Sequence, residues 1–143
     1  MPYLLDTNHC SYVINALRKK PQFHKPEEIK TLEAFRKVTD PIYTCDAVVG
    51  EMYFGAELRS NTSDLYRLID EFTTNNAVVL VANKKAWLLF ASTKAHLRKT
   101  GIVIEDFDLL IACVAKAYDC ILVSNDAVFK YLPSSFQIEN WAS

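Results

Sequence analysis

The 143-residue sequence is poor in the residues that punctuate loops, with 3 glycines and 5 prolines, and it has neither a low-complexity tract nor an internal repeat. Hydrophobic residues make up 50% of it, so a folded globular domain is expected and extended disorder is not. None of the cysteines Cys10, Cys45, Cys113 and Cys120 stands in a C-x-x-C pair. They read as small buried hydrophobes in a reducing compartment rather than as a zinc site or a disulfide framework. His9, His24 and His96 have no H-x-x-x-H spacing, which argues against a histidine-based metal site. A Gly-rich phosphate loop and a serine-histidine or cysteine-histidine constellation are missing as well. The longest uninterrupted apolar run, Leu109 to Ala115, falls far short of the roughly 20 residues that span a bilayer, so no membrane partner is expected. Met1 to Asp6 lacks a cationic region followed by a long apolar core, and without a secretory leader the expected location is cytoplasmic. The net charge of -1 and pI near 6.3 carry no overall basic signature. A nucleic-acid partner would therefore have to meet a local basic surface.

What is present is concentrated between Ile104 and Phe129. Phe107, Leu110, Ile111, Val114 and Tyr118 recur at three- and four-residue spacing among the helix formers Ala112, Ala115 and Ala117, which predicts a helix capped by Asp106. Ile121, Leu122 and Val123 follow as a short run apolar on both faces, suited to an inner strand of a covered parallel sheet. Asp108 then lies in the helix's first turn and Asp126 just past the strand's carboxyl end, where ligands gather in open α/β sheets. Singly, each acid also fits a structural role, Asp108 as a dipole partner and Asp126 as a turn residue.

The same strand, acidic turn and helix appear at the N-terminus as Tyr3-Leu4-Leu5, Asp6-Thr7-Asn8 and a predicted helix from His9 to Leu17 with Tyr12, Val13, Ala16 and Leu17 on its inner face. Arg18-Lys19-Lys20 ends that helix, where cations suit the dipole or could meet phosphate. Pro26-Glu27-Glu28 starts a helix towards Thr39. Ile42-Tyr43-Thr44 is a strand, and Asp46 is the expected N-cap of a helix through Arg59. Within that helix Glu51 stands among apolar neighbours and shares a face with Gly55, whose missing side chain leaves space beside the carboxylate. Glu51 on a solvated face is the competing reading. Ser63 is expected to cap a helix to about Phe72, and Ala77 to Ala82 is the strongest buried-strand signal in the chain. Lys84 to Lys99 is predicted helical, with Trp87, Leu88, Phe90, Ala91, Ala95 and Leu97 inward and a basic outer face of Lys84, Lys85, Lys94, Arg98 and Lys99, which serves solubility and is also the best local candidate for a phosphate-backbone contact. Gly101 is its expected stop, and Phe136 to Trp141 alternates as an outer strand would. One α/β domain over residues 1–143, with about five parallel strands alternating with helices, is the simplest architecture.

In a parallel sheet the ends of the first and fourth strands bring Asp6 and Asp126 to one edge, where the helices carrying Glu51 and Asp108 can also arrive. Four clustered carboxylates need compensation, because like charges a few ångströms apart raise one another's pKa. Ligands that are all oxygen favour a hard cation, Mg²⁺ or Mn²⁺. Such an ion suits phosphodiester hydrolysis, because it screens phosphate oxygens and lowers the pKa of a bound water.

Leu4-Leu5-Asp6-Thr7-Asn8, Val49-Gly50-Glu51-Met52-Tyr53-Phe54-Gly55-Ala56, Asp106-Phe107-Asp108-Leu109-Leu110-Ile111-Ala112 and Val123-Ser124-Asn125-Asp126-Ala127-Val128-Phe129 closely resemble, in order and spacing, the motifs of PIN-domain ribonucleases. The chain looks most like the VapC-type toxins of bacterial toxin-antitoxin pairs. The resemblance implies a Rossmann-like α/β/α sandwich and Mg²⁺- or Mn²⁺-dependent endoribonuclease activity, with Asp6, Glu51, Asp108 and Asp126 as catalytic and metal-site acids. It further implies that Ser124 lines the pocket, that the chain forms a homodimer, that its substrate is RNA, and that a cognate antitoxin silences it by inserting a basic or aromatic side chain among the acids. Asp106 is a second acid beside Asp108, and the D-L-L-I-A pattern favours Asp108 as the ligand with Asp106 as cap or outer partner.

Three other functions compete. A PIN-domain nuclease could process RNA outside a toxin-antitoxin pair. A phosphotransfer enzyme would use Asp6 as nucleophile, but position 8 is Asn rather than Asp. A binding-only domain is disfavoured because all four acids are present.

Overall fold

The structure, a computed structural model, describes residues 1–143. Three short strands form its centre: β1 (Tyr3–Leu5), β2 (Ile42–Cys45) and β4 (Ile121–Val123), flanked by β3 (Val78–Leu80) and β5 (Ile138–Glu139) at the edges. The sheet order is β3-β2-β1-β4-β5 and every pairing is parallel. Tyr3, Leu4 and Leu5 stand opposite Ile121, Leu122 and Val123, and the Asp6 N–H extends the ladder by donating to the Val123 carbonyl at 3.1 Å. The ends of β1 and β4 therefore lie side by side, as the sequence predicted.

Six helices cover this sheet: α1 (Thr7–Arg18), α2 (Pro26–Lys37), α3 (Asp46–Glu57), α4 (Thr62–Asn75), α5 (Lys84–Lys99) and α6 (Asp106–Ala117). α1 packs on α2 and α3, α3 on α4, and α5 on α6. Chain progress is β1 to β2 to β3 in one direction and then across to β4, so right-handed crossovers put the first four helices on one face and the last two on the other. This is the expected Rossmann-like α/β/α sandwich. α6 carries the core: all residues from Leu109 to Ala115 are buried, against Leu4, Leu5, Leu122 and Val123. A helix apolar around its whole circumference has to lie inside.

Several boundaries differ from the sequence reading, each for a local reason. α1 begins at Thr7, two residues early, because the Asp6 carboxylate caps it by accepting from the His9 N–H at 2.9 Å. Its inner face is His9, Cys10, Val13 and Ala16, while Leu17 is exposed. The cap of α3 is Cys45 in extended backbone, and Asp46 is already helical. α4 starts after Asn61 rather than on a Ser63 cap; the Thr62 hydroxyl closes the turn by donating to the Ala56 and Arg59 carbonyls. The run read as the most buried strand shrinks to Val78–Leu80 at the sheet's edge, with Val78 exposed. α5 spans the predicted Lys84–Lys99, with the Asn83 side chain capping it and Gly101 at φ +77° behind it. Its inner side is Ala86, Thr93 and Leu97, however; Trp87, Leu88, Ala91 and Ala95 face outward. The cysteines are free and buried, and burial pushes the Cys45, Cys113 and Cys120 thiols up to about 11, so they stay protonated.

Candidate active site

Four elements deliver one carboxylate each to the carboxyl edge of the sheet. Asp6 leaves the end of β1, is 8% exposed, and carries its hydrogen bonds on Oδ1. Glu51 reaches in from the second turn of α3, where its Oε1 accepts the Thr7 hydroxyl at 2.6 Å. Asp108 sits half-buried in the first turn of α6. Asp126 caps the 3₁₀ turn Ala127–Tyr131 after β4, accepting from the Val128 N–H at 2.9 Å. All four line one cavity of about 160 Å³, together with Thr7, Asn8, Ile111 and Phe129. The sequence-predicted acids are thus brought together.

The cavity contains no lysine, arginine or histidine in its lining, and the consequence appears at Asp108. Its own burial first, and then the charges of Glu51, Asp126, Glu105 and Asp6, raise its carboxyl from 3.8 to about 6. Asp106 does not share this environment. It is the first residue of α6 rather than its cap, which is Glu105, and it pairs with Lys94 at 2.8 Å. Ser124 is buried behind the wall, and its hydroxyl accepts the Asp126 N–H at 3.1 Å. It shapes the turn that carries Asp126 and is not among the lining residues.

The donor set fits a hard cation, because every charged ligand offered is a carboxylate oxygen. No three of the side chains converge closely enough to grip an ion directly.

Glu51 and Thr7 also border a second, larger cavity of about 450 Å³. Its floor includes Ile14, Met52 and Ile69, and Arg18, Lys25 and Arg59 stand around it. Gly55 forms part of its wall with open space where a Cβ would project, in line with the room expected beside Glu51. These three cations therefore stand around a cavity that shares Glu51 and Thr7 with the acidic one. Sequence reasoning overlooked His9, which touches Asp6. Its only signal was its position three residues after an acid at a helix start.

The PIN domain family matches residues 3–134. Ribonuclease VapC2 of Haemophilus influenzae is 30% identical over 141 residues, covering 99% of this chain and 98% of that protein. In the crystal structure of VapBC2 from Rickettsia felis bound to a DNA fragment from their promoter, one chain superposes with a TM-score of 0.81 at 27% identity, covering 99% of both chains. VapBC-5 from Mycobacterium tuberculosis, a member of the VapBC family of toxin-antitoxin systems, shares the fold at a TM-score of 0.64 and 21% identity, covering 99% of this chain and 98% of that one. With the family model matching most of its length and a ribonuclease VapC2 30% identical over nearly all of it, the chain belongs to the PIN-domain family and is of the VapC type.

Proposed function

We propose that this chain is an endoribonuclease dependent on Mg²⁺ or Mn²⁺ and serves as the toxin of a VapBC-type toxin-antitoxin pair. The observation that carries the reading is the single cavity shared by Asp6, Glu51, Asp108 and Asp126 with no cationic side chain to neutralise them. Those four acids would hold the ion, which when bound would supply screening of phosphate oxygens and activation of a water for attack on phosphorus. Thr7 orients Glu51 through its hydroxyl, and Ser124 holds the turn of Asp126. Arg18, Lys25 and Arg59 in the adjoining groove suit the phosphates that flank a scissile bond in a single RNA strand.

The likeness to chains of VapBC complexes supports a cognate antitoxin as partner. An antitoxin side chain that is cationic would complement the acids directly. A homodimer is supported by the outward stripe Trp87, Leu88, Ala91 and Ala95 on α5, an apolar face that no other part of the chain covers. No helix is long and apolar enough to cross a membrane.

The test is RNA cleavage by the purified protein. Cleavage should require Mg²⁺ or Mn²⁺, stop with a chelator, and be lost in Asp6→Asn and Asp108→Asn while their circular dichroism stays native. Full cleavage by either variant at saturating Mg²⁺ overturns the proposal.

A further inference from the structure

His9 is wholly buried. Its Nδ1 lies 2.9 Å from Asp6 Oδ1, and its backbone N–H donates to the same oxygen at 2.9 Å. An ionised carboxylate can only accept, so the ring proton sits on Nδ1. The other nitrogen, Nε2, is buried with no hydrogen-bond partner. The ring is held by the edge of Tyr12, with centroids 5.4 Å apart, and the Tyr12 hydroxyl accepts from Asn125 Nδ2 at 3.1 Å. Asn125 lies between Ser124 and Asp126, so this chain of contacts joins the two acid-bearing strand ends.

An orphaned ring nitrogen costs stability, and a well-packed apolar side chain at the same position would avoid that cost. What the imidazole does provide is a second donor on one chosen oxygen of Asp6. An aspartate's terminal torsion is broad and roughly two-fold, so one backbone N–H alone leaves the carboxylate free to rock. Two donors converging on Oδ1 hold it still and leave Oδ2 for the cavity.

We infer that His9 is a positioning residue whose Nδ1–H clamps Asp6 Oδ1, so that Oδ2 is presented to a divalent cation in a fixed orientation. The inference rests on the metal-site reading of the four acids. It assigns His9 no contact with substrate and no proton transfer. Hydrogen-bond partners of ligating groups, when removed, weaken metal affinity by about 10- to 100-fold.

Mn²⁺ binding to the purified, metal-free protein, measured by titration calorimetry, is the primary readout, with RNA cleavage against Mn²⁺ concentration beside it. His9→Phe keeps the ring's bulk without the donor, and His9→Leu loses the donor in a different shape, in case the phenyl ring disrupts folding. His9→Asn restores a donor close to the position of Nδ1. The expected result is that His9→Phe or His9→Leu binds Mn²⁺ about 10-fold more weakly or worse, with maximal cleavage recovered at high Mn²⁺, and that His9→Asn stays within about 3-fold of the parent protein, below that range. Equal Mn²⁺ affinity in a folded His9→Phe or His9→Leu overturns the inference and leaves the metal reading intact. Equal weakening in all three variants also overturns it, since ring packing rather than the donor would then be what matters. Failure of the unsubstituted protein to bind Mn²⁺ instead overturns the metal reading itself.

Discussion

Glu28 and Asp108 are both carboxylates withdrawn from water, and the chain treats them in opposite ways. Glu28 is 1% exposed, accepts the Lys25 N–H at 2.9 Å, and takes both of its oxygens to within 3.1 Å of the Lys19 ammonium. Burial alone would raise its pKa, but the Lys25 N–H and the Lys19 charge outweigh burial and hold it below 4.5. Asp108 is less buried, yet burial and four neighbouring acids all push the same way, up to about 6. The chain neutralises Glu28 with its own residues and places no cationic side chain in the lining of the cavity. A fold with no use for the cavity could have paired those acids with its own lysines, as it did between α1 and α2.

The comparison breaks first at the level of activity. Asp108→Asn should reduce RNA cleavage by more than about 100-fold, beyond the cost of losing an outer hydrogen-bond partner, whereas Glu28→Gln should leave cleavage per folded molecule unchanged. A cleavage assay normalised to folded protein distinguishes the two.

The order reverses for stability. Glu28→Gln strips Lys19 of its buried counter-charge and should cost about 2 kcal/mol in urea unfolding, below the usual range for a broken buried pair because the Lys19 side chain is 23% exposed. Asp108→Asn should cost nothing in metal-free protein and can add stability by relieving repulsion.

pH sharpens the contrast because the two groups act with opposite sign. Asp108 binds its proton more tightly folded than unfolded, so its contribution is favourable at low pH and is lost as pH rises from 3.8 through about 6. Glu28, with its folded pKa lowered, contributes above 4.5 and loses that contribution as pH falls. In metal-free protein the stability advantage of Asp108→Asn should therefore grow between pH 4 and 6 and then level off, at about 1 kcal/mol once solvent screening is allowed for. Saturating Mg²⁺ should abolish it. Unfolding curves at a series of pH values, with and without Mg²⁺, give the answer.

The smallest expected effect is at Asp106. Asp106→Asn removes an exposed pair with Lys94 and should change stability by less than about 1 kcal/mol with cleavage unaffected. A large loss of cleavage would move the site from Asp108 to the acid two residues before it.

Much of the fold was legible because it depends on local order along the chain. The apolar run of β1 ending at Asp6, the limits of α5 and the inner strand β4 follow from periodicity and caps, which nearest neighbours impose. What could not be read depended on distant partners. Ala77 to Ala82 looks like a central strand, but its place at the edge is decided by which strands pair with it. Trp87 and Leu88 read as core because hydrophobicity records a preference for burial and not whether a surface exists to provide it. Asp106 has the sequence pattern of a helix cap, but Glu105 takes that position and Lys94, twelve residues earlier, pairs with Asp106 across space.

The order of elements, the four acids at strand ends and helix starts, and the scarcity of soft ligands were written in the amino-acid sequence, since each is a property of a short segment and its composition. The tertiary structure alone decided that one wall would enclose those acids without a cation, that Arg18, Lys25 and Arg59 would stand beside them, and that His9 would turn its ring onto Asp6. Charge interactions and hydrogen bonds depend on distance in space, and distance in space between far-apart residues exists only after the sheet has formed.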